Sequence, residues 1–248
     1  MKKILLPIDL SPASENAIDF IVDVFGSFRP ELYLIHVKRS DESLHEIKEL
    51  FTNFESTKLI PSKLNYQFEI TKQGGLLSDI QDTIKVEKPD LLVLGTRGIN
   101  GSSLSKALVK ITDCPVMLVP ENYKETKIKR IAYANDFYDI KNSAALKPLM
   151  NLAMLMRAKV YLLHINRDNR TNDGAEASLE YYLDYVDHEY VYITSDDIEQ
   201  SIMNFIKEKN IDVLTVLLRD HGSNKLESEG RLVKKIVAHS NVPVLNLV

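Results

Sequence analysis

The sequence predicts an α/β protein made of two tandem doubly wound domains, each with a five-stranded parallel sheet flanked by helices in a Rossmann-like arrangement. Three observations carry this prediction. Short apolar runs alternate with amphipathic stretches at a spacing typical of strand–helix–strand units. Continuous apolar runs such as LLVLG (91–95) indicate strands buried on both faces. The whole pattern then occurs twice along the 248 residues.

The repeat defines the domain boundaries. In both copies an isoleucine precedes an aspartate by five residues, and a histidine follows that aspartate, by 27 residues in the first copy and 28 in the second. These residues are Ile4, Asp9 and His36 in the first copy and Ile131, Asp136 and His164 in the second. We therefore expect one domain at 1–120 and another at 128–248, joined by the polar linker 121–127.

The elements of the first copy can be placed from its periodicity. The expected strands are 3–8, 31–37, 64–71, 90–95 and 115–119, and the expected helices are 13–26, 43–57, 76–87 and 102–112. Doubly wound sheets bind ligands beyond the carboxyl ends of their strands, where the strand order reverses. The chemistry should therefore lie at the ends of strands one, two and four, which carry Asp9, Val37 and Gly95.

Composition excludes several classes of partner. A net charge of −4 gives no electrostatic reason to expect nucleic acid or an anionic membrane. No apolar run approaches the roughly 20 residues of a membrane span, and Pro7 and Asp9 interrupt the first apolar stretch too early for a signal peptide. The single cysteine, Cys114, cannot form an internal disulfide and is interpreted as structural. We expect a cytoplasmic protein.

Four stretches, KKILLPIDLSPASENAIDF (2–20), ELYLIHV (31–37), DLLVLGTRG (90–98) and CPVMLVP (114–120), together resemble a universal stress protein domain of the UspA type. Their counterparts follow in the same order in the second copy, so the resemblance covers nearly the whole chain. It implies a stress-response protein whose domains often pair through their last strands. Many members of this family bind ATP through an aspartate after strand one, a backbone position after strand two and a G-x2-G-x9-G-[ST] loop, whereas others lack the loop and bind no nucleotide.

Carried over to this chain, the resemblance implies a nucleotide site in the first domain. Its residues would be Pro7, Ile8, Asp9, Val37, Leu94, Gly95, Arg97, Gly98, Ser102 and Ser103. Asp9 would face the ribose or base, Val37 the adenine, and 95–103 the phosphates, with Mg²⁺ present only alongside ATP. Glycines let the backbone approach phosphate oxygens, and amides at a helix N-terminus point at the anion.

The loop after strand four differs between the copies. The interval from the aspartate before strand four to the proline before strand five is 25 residues in the first copy (Asp90–Pro115) and 31 in the second (Asp212–Pro243). The first copy has thus lost six residues but keeps two glycines. GINGSS (98–103) can still hold phosphate, or it can close the site as a tight turn in which Ser102 caps the next helix.

The second copy keeps the loop length but only the last of its three glycines, and Asp220 puts a negative charge where phosphate should lie. Its weaker candidate residues are Asp136, Ile165, Gly230 and Arg231.

Other residue patterns are more simply structural. Asp9 can also act as the N-cap of the helix that follows it, and that role is compatible with ligand binding. His36 and His164 lack a second ligand at metal-site spacing. Neither a G-x-S-x-G elbow nor a P-loop GK[ST] is present, so we expect no catalytic and no metal-binding residues. The acidic run 184–190 is interpreted as a solvated helix end, with a cation site as the alternative. The tyrosine-rich stretch 180–192 is interpreted as a half-buried cluster, with an interface as the alternative.

These observations favour a non-enzymatic tandem stress-response protein with an adenine-nucleotide site in the first domain. The alternative is an interaction or scaffold protein of the same fold with both sites degenerate, and a slow ATPase ranks last. We expect the two domains to pair through VMLV (116–119) and VLNL (244–247), which would remove exposed strand edges. A homodimer and an unidentified protein partner remain open.

Overall fold

The computed structural model describes residues 1–71, 76–97, 114–135, 143–166, 179–217 and 235–248. The chain divides into two compact units, Met1–Thr126 and Lys127–Val248. Within the described ranges, no helix combines the length and the apolar character that crossing a membrane requires.

The first unit contains a parallel five-stranded sheet. Its strands are β1 (Lys3–Pro7), β2 (Glu31–Val37), β3 (Tyr66–Thr71), β4 (Leu91–Thr96) and β5 (Val116–Pro120). They lie in the order β3-β2-β1-β4-β5, so the strand order reverses between β1 and β4. β1 and β4 are buried almost throughout, as the continuous apolar runs predicted. The doubly wound α/β fold is confirmed.

Helices cover this sheet at the predicted places. They are α1 (Pro12–Phe20), α2 (Leu44–Phe54) and α3 (Leu76–Glu87). α1 continues into a π-helical turn at Ile21–Phe25 and a 3₁₀ turn at Gly26–Phe28, whereas α2 continues through a π-helical turn at Glu55–Leu59 and a short helix at Ile60–Ser62. The helix expected at 102–112 lies outside the described residues.

The second unit repeats the first. Its strands are β6 (Arg130–Asn135), β7 (Lys159–Asn166), β8 (His188–Thr194), β9 (Val213–Leu217) and β10 (Val244–Leu247). They are parallel, in the order β8-β7-β6-β9-β10, which matches the first unit strand for strand. A 3₁₀ turn at Ser143–Leu146 leads into α4 (Lys147–Met156), and α5 spans Ile198–Glu208.

The two cores differ in polarity. Counting from the repeated isoleucine, aspartate and proline, three apolar residues of the first core are replaced by polar ones in the second core. The first core has Leu6, Val93 and Leu118, and the second has Tyr133, Thr215 and Asn246, all of them buried. Buried polar groups need hydrogen-bond partners. At these three positions the second core must therefore supply such partners, whereas the first core needs only apolar contacts.

An aspartate in front of the fourth strand holds the start of the first strand in each unit. Asp90 Oδ2 accepts hydrogen bonds from the backbone N–H groups of Lys2 (2.5 Å) and Lys3 (3.0 Å). Asp212 Oδ2 does the same at the start of β6, at 2.7 and 2.8 Å. Burial acts to raise the pKa of Asp90, but these two bonds, together with the charges of the chain N-terminus and Lys2, hold the pKa below its ordinary value. The ionised carboxylate is therefore the form that the folded state favours.

We predict that Asp90→Ala lowers the free energy of unfolding by about 1 kcal/mol at neutral pH, because two backbone donors lose a charged but partly exposed acceptor. A lowered pKa in the folded state means that this contribution is complete above the ordinary aspartate pKa and is lost as the pH falls through the lowered value. Urea unfolding followed by circular dichroism at pH 7 and at about pH 2.5 measures both the loss of stability at neutral pH and its change in acid.

The difference between Asp90→Ala and the unsubstituted protein should shrink at the acidic pH. Asp82→Ala, on the exposed surface of α3, serves as the control and should change stability little at either pH. A difference that persists unchanged in acid would contradict this role of Asp90.

Candidate functional site

The carboxyl edge of the first sheet carries the described part of the predicted site. Asp9 follows β1, Val37 ends β2, and Gly95 and Arg97 lie in and after β4. Pro7, Ile8 and Leu94 are at the same edge and are buried. In the second unit Ile165 lies near the end of β7. Six of the predicted residues lie outside the described residues: Gly98, Ser102, Ser103, Asp136, Gly230 and Arg231.

Asp9 shapes the turn between β1 and α1. Its Oδ1 accepts a hydrogen bond from the backbone N–H of Ser11 at 3.1 Å, across Leu10, whose φ of 57° is left-handed. Ser11 is the N-cap of α1, and its side chain accepts from the N–H of Ser14. The capping role considered for Asp9 therefore falls to Ser11.

The same turn keeps the Asp9 carboxylate ionised. Partial burial acts to raise the pKa of Asp9, but hydrogen bonds from Ser11 and Ser14 and the nearby charge of Arg97 together lower it below the ordinary value. A carboxylate that is ionised at neutral pH can accept hydrogen bonds from hydroxyl or amino groups of a ligand.

Buried His36 ties the end of β1 to the loop after β2. Its Nδ1 lies 2.9 Å from the carbonyl oxygen of Ile8, which can only accept, so Nδ1 is the donor. Its Nε2 lies 3.0 Å from Oε2 of Glu42. Glu42 also accepts from the backbone N–H of Arg39 at 2.8 Å and pairs with the Arg39 guanidinium at 2.9 Å. Burial acts to raise the pKa of Glu42, but these contacts outweigh it and lower that pKa.

The second unit contains the same bond, because His164 Nδ1 lies 3.1 Å from the carbonyl oxygen of Asn135, just before Asp136. In each unit the repeated histidine thus bonds to the carbonyl group of the residue that precedes the repeated aspartate in the sequence. Among the described residues, no group of three or more histidine, cysteine, aspartate or glutamate side chains is arranged to hold a metal ion.

A cleft of about 530 Å³ opens between this edge and α2, within the size range of small-molecule sites. Its lining residues are Asp9, Leu10, His36, Arg39, Glu42, Glu46, Ile47, Glu49, Leu50 and Asn53. Of the predicted residues that the structure describes, only Asp9 lines this cleft. The contribution of α2 was missed, although the pattern of its apolar residues (Ile47, Phe51 and Phe54 are buried) could have shown which helix face turns inward.

Gly95 has a packing role that the sequence did not reveal. A Cβ atom placed there would lie 2.0 Å from the carbonyl oxygen of Ala13, 2.3 Å from its carbonyl carbon and 2.9 Å from the backbone nitrogen of Ser14. β4 can therefore approach the first turn of α1 only because residue 95 has no side chain.

Arg97 lies on the β4 side of the edge. Its Nε is 3.7 Å from Oε2 of Glu121, and about half of its side chain is exposed. Its charge also contributes to lowering the pKa of Asp9, so the guanidinium acts electrostatically on two carboxylates.

Cys114 precedes β5 in the first unit, and the tyrosine-rich stretch belongs to the second unit. Cys114 is buried, and burial raises the pKa of its thiol to about 12, so the thiol is neutral. In the tyrosine-rich stretch, His188 bonds to Glu180 at 3.0 Å, and Tyr181 and Tyr185 are largely exposed. The described part of 180–192 is thus mainly a solvated surface.

No protein-family model matches the sequence, and no curated protein matches it significantly. Solved structures do match over the full length. The crystal structure of a universal stress protein from Archaeoglobus fulgidus aligns with a TM-score of 0.70 at 18% identity, covering 98% of this chain and 95% of that one. This chain has the fold of a tandem universal stress protein.

Two structures from Pseudomonas aeruginosa extend the likeness to the universal stress protein fold. A protein of unknown function aligns with a TM-score of 0.73 at 12% identity, covering 100% of this chain and 92% of that one. A candidate universal stress protein aligns with a TM-score of 0.71 at 12% identity, covering 100% and 93%. At these identities the likeness is one of fold, which confirms the resemblance seen in the sequence at that level.

We predict that Gly95→Ala destabilises the first unit by about 3 kcal/mol, because the added methyl group overlaps backbone atoms that cannot rotate away. Gly26→Ala is the matched control, since Gly26 has helical dihedral angles and no atom lies within 4 Å of the position that an added methyl group would take. Urea unfolding followed by circular dichroism compares the two variants.

The control should remain within about 0.5 kcal/mol of the unsubstituted protein or gain slightly in stability. If Gly95→Ala were as stable as Gly26→Ala, the close approach of β4 to α1 would not require a glycine.

Proposed function

We propose that this chain belongs to the universal stress proteins and acts without catalysis in the stress response, binding one adenine nucleotide at the carboxyl edge of its first unit. The observation that carries the proposal is the ionised Asp9 carboxylate on the wall of a cleft beside the reversal of strand order. Ligands of doubly wound sheets bind at that place. The full-length likeness to a tandem universal stress protein supports the assignment.

The described side chains suggest how each part of the ligand is held. Asp9 accepts hydrogen bonds from the ribose hydroxyls or the adenine amino group. Leu10 and Ile47 provide apolar contacts in the same cleft. Arg97, next to Asp9, reaches a phosphate by giving up its contact with Glu121. Mg²⁺ enters only as a companion of the nucleotide phosphates.

Binding rather than turnover is supported by the state of the reactive groups. Buried His36 has both ring nitrogens engaged, by Ile8 and Glu42, and so is poorly placed to take a proton from a nucleophile. The Cys114 thiol is neutral and buried. A reducing cytoplasm is the compartment that suits a free thiol of this kind.

A second function, that of a nucleotide-independent interaction protein, is favoured by one observation. The close packing of Gly95 against Ala13 explains that glycine without any phosphate. If the shortened loop after Arg97 only closes the edge, protein partners replace the nucleotide.

Calorimetric titration of nucleotide-stripped protein with AMP, ADP and ATP, with and without Mg²⁺, tests the proposal. We predict saturable binding of one nucleotide per chain. Asp9→Ala should weaken it at least about tenfold, because hydrogen bonds to a charged group are worth roughly 1.5–3 kcal/mol. Asp9→Asn removes the negative charge but keeps an oxygen that can accept from the N–H of Ser11. Comparison with Asp9→Ala therefore distinguishes the effect of losing the charge from the effect of losing the turn. Asp82→Asn, an exposed carboxylate on α3, is the charge-matched control.

Absence of binding by every nucleotide, with none carried through purification, would favour the interaction protein. Phosphate release from ATP that Asp9→Ala abolishes would overturn the non-enzymatic assignment.

A further inference from the structure

The cleft beside Asp9 is rich in carboxylates. Four of the residues that line it are acidic: Asp9, Glu42, Glu46 and Glu49. Arg39 is the one lysine or arginine among these described lining residues, and it is bonded to Glu42, as is His36. Three carboxylates therefore remain without an equivalent cation in the lining. Such a surface repels groups that carry several negative charges.

The amino end of α2 would ordinarily offset this charge, because a helix N-terminus attracts anions. Here a capping box engages two of the amides at this helix end. Ser43 Oγ accepts from the backbone N–H of Glu46, and Glu46 Oε2 accepts from the backbone N–H of Ser43, both at 3.1 Å. A phosphate that approached this helix end would therefore also meet the negative charge of the Glu46 carboxylate.

On the β4 side of the carboxyl edge, Arg97 is the described residue that can offer positive charge to phosphates. Arg97 is shared between Glu121 and Asp9, so it can serve about one phosphate. The sequence segment between Asp90 and Pro115 is six residues shorter than its counterpart between Asp212 and Pro243, which leaves fewer backbone amides to hold a chain of phosphates.

We propose that the first-unit site selects adenine ligands with few phosphates, so that affinity falls in the order AMP, ADP, ATP. This inference rests on the proposed adenine-nucleotide site and names the ligand class that the site prefers. The base and ribose lie against the acidic cleft, and one phosphate pairs with Arg97. Each further phosphate adds charge close to the carboxylates of Asp9, Glu46 and Glu49, which no lysine or arginine of the described lining neutralises. At low ionic strength each is expected to weaken binding roughly three- to tenfold.

The test is calorimetric titration of the full chain with adenosine, AMP, ADP and ATP in magnesium-free buffer, at about 20 mM and about 500 mM NaCl. ATP is expected to bind at least about tenfold more weakly than AMP at low salt, and the gap should narrow at high salt because screening shortens the reach of the carboxylates. A gap that does not respond to salt would overturn the electrostatic explanation.

Glu49→Gln tests how much a carboxylate of the cleft lining weakens the binding of ATP relative to AMP. Glu49 lies on the cleft wall, is largely exposed and takes no part in the capping box. The substitution should strengthen ATP binding severalfold while AMP changes less. Glu208→Gln, an exposed site at the end of α5 in the second unit, removes the same charge from the chain and should leave the ratio of ATP to AMP affinity unchanged.

The outcomes separate the two proposals. ATP binding more tightly than AMP would overturn the preference for few phosphates and leave the nucleotide site standing. Failure of adenosine and all three nucleotides to bind would instead overturn the proposed function itself. An equal response of the Glu49 and Glu208 variants would show that net charge, rather than the cleft, sets the preference.

Discussion

The contact between β4 and the first turn of α1 is the constraint on which the rest of the site depends. With no side chain at Gly95, the strand runs close to the backbone of Ala13. The turn that carries Asp9 and the segment that carries Arg97 are thereby brought close enough for their charges to interact. The effect of the Arg97 charge on the Asp9 carboxylate therefore depends on two pieces of backbone that pack without an intervening side chain.

Much of the fold could be predicted because parallel strands buried on both faces appear in the sequence as continuous apolar runs. β1 and β4 are apolar at nearly every position, since helices cover both faces of the sheet. β3 alternates in exposure and was placed less well, with its start expected at residue 64 and found at Tyr66. The internal repeat supplied a second copy of each motif, so the same fold could be predicted for both units.

The site was harder to predict because its contacts join residues that are distant in sequence. Spacing alone could not show that His36 bonds to the carbonyl of Ile8 while holding Glu42. The sequence made Asp9 a candidate N-cap, but the left-handed Leu10 lets Asp9 bond to the N–H of Ser11, which is itself the N-cap. Gly95 was assigned to phosphate binding on a motif, whereas its tightest constraint is Ala13, far earlier in the chain.

The polar substitutions in the second core affect how the two copies can diverge. Apolar contacts are not directional, so the core around Leu6, Val93 and Leu118 can accept other aliphatic side chains of similar volume. Tyr133, Thr215 and Asn246 carry groups whose bonds have direction, and a neighbour that changes shape disturbs them. An exchange of one aliphatic side chain for another should therefore disturb the first core less than the second, where a neighbour that changes shape also displaces a directional bond.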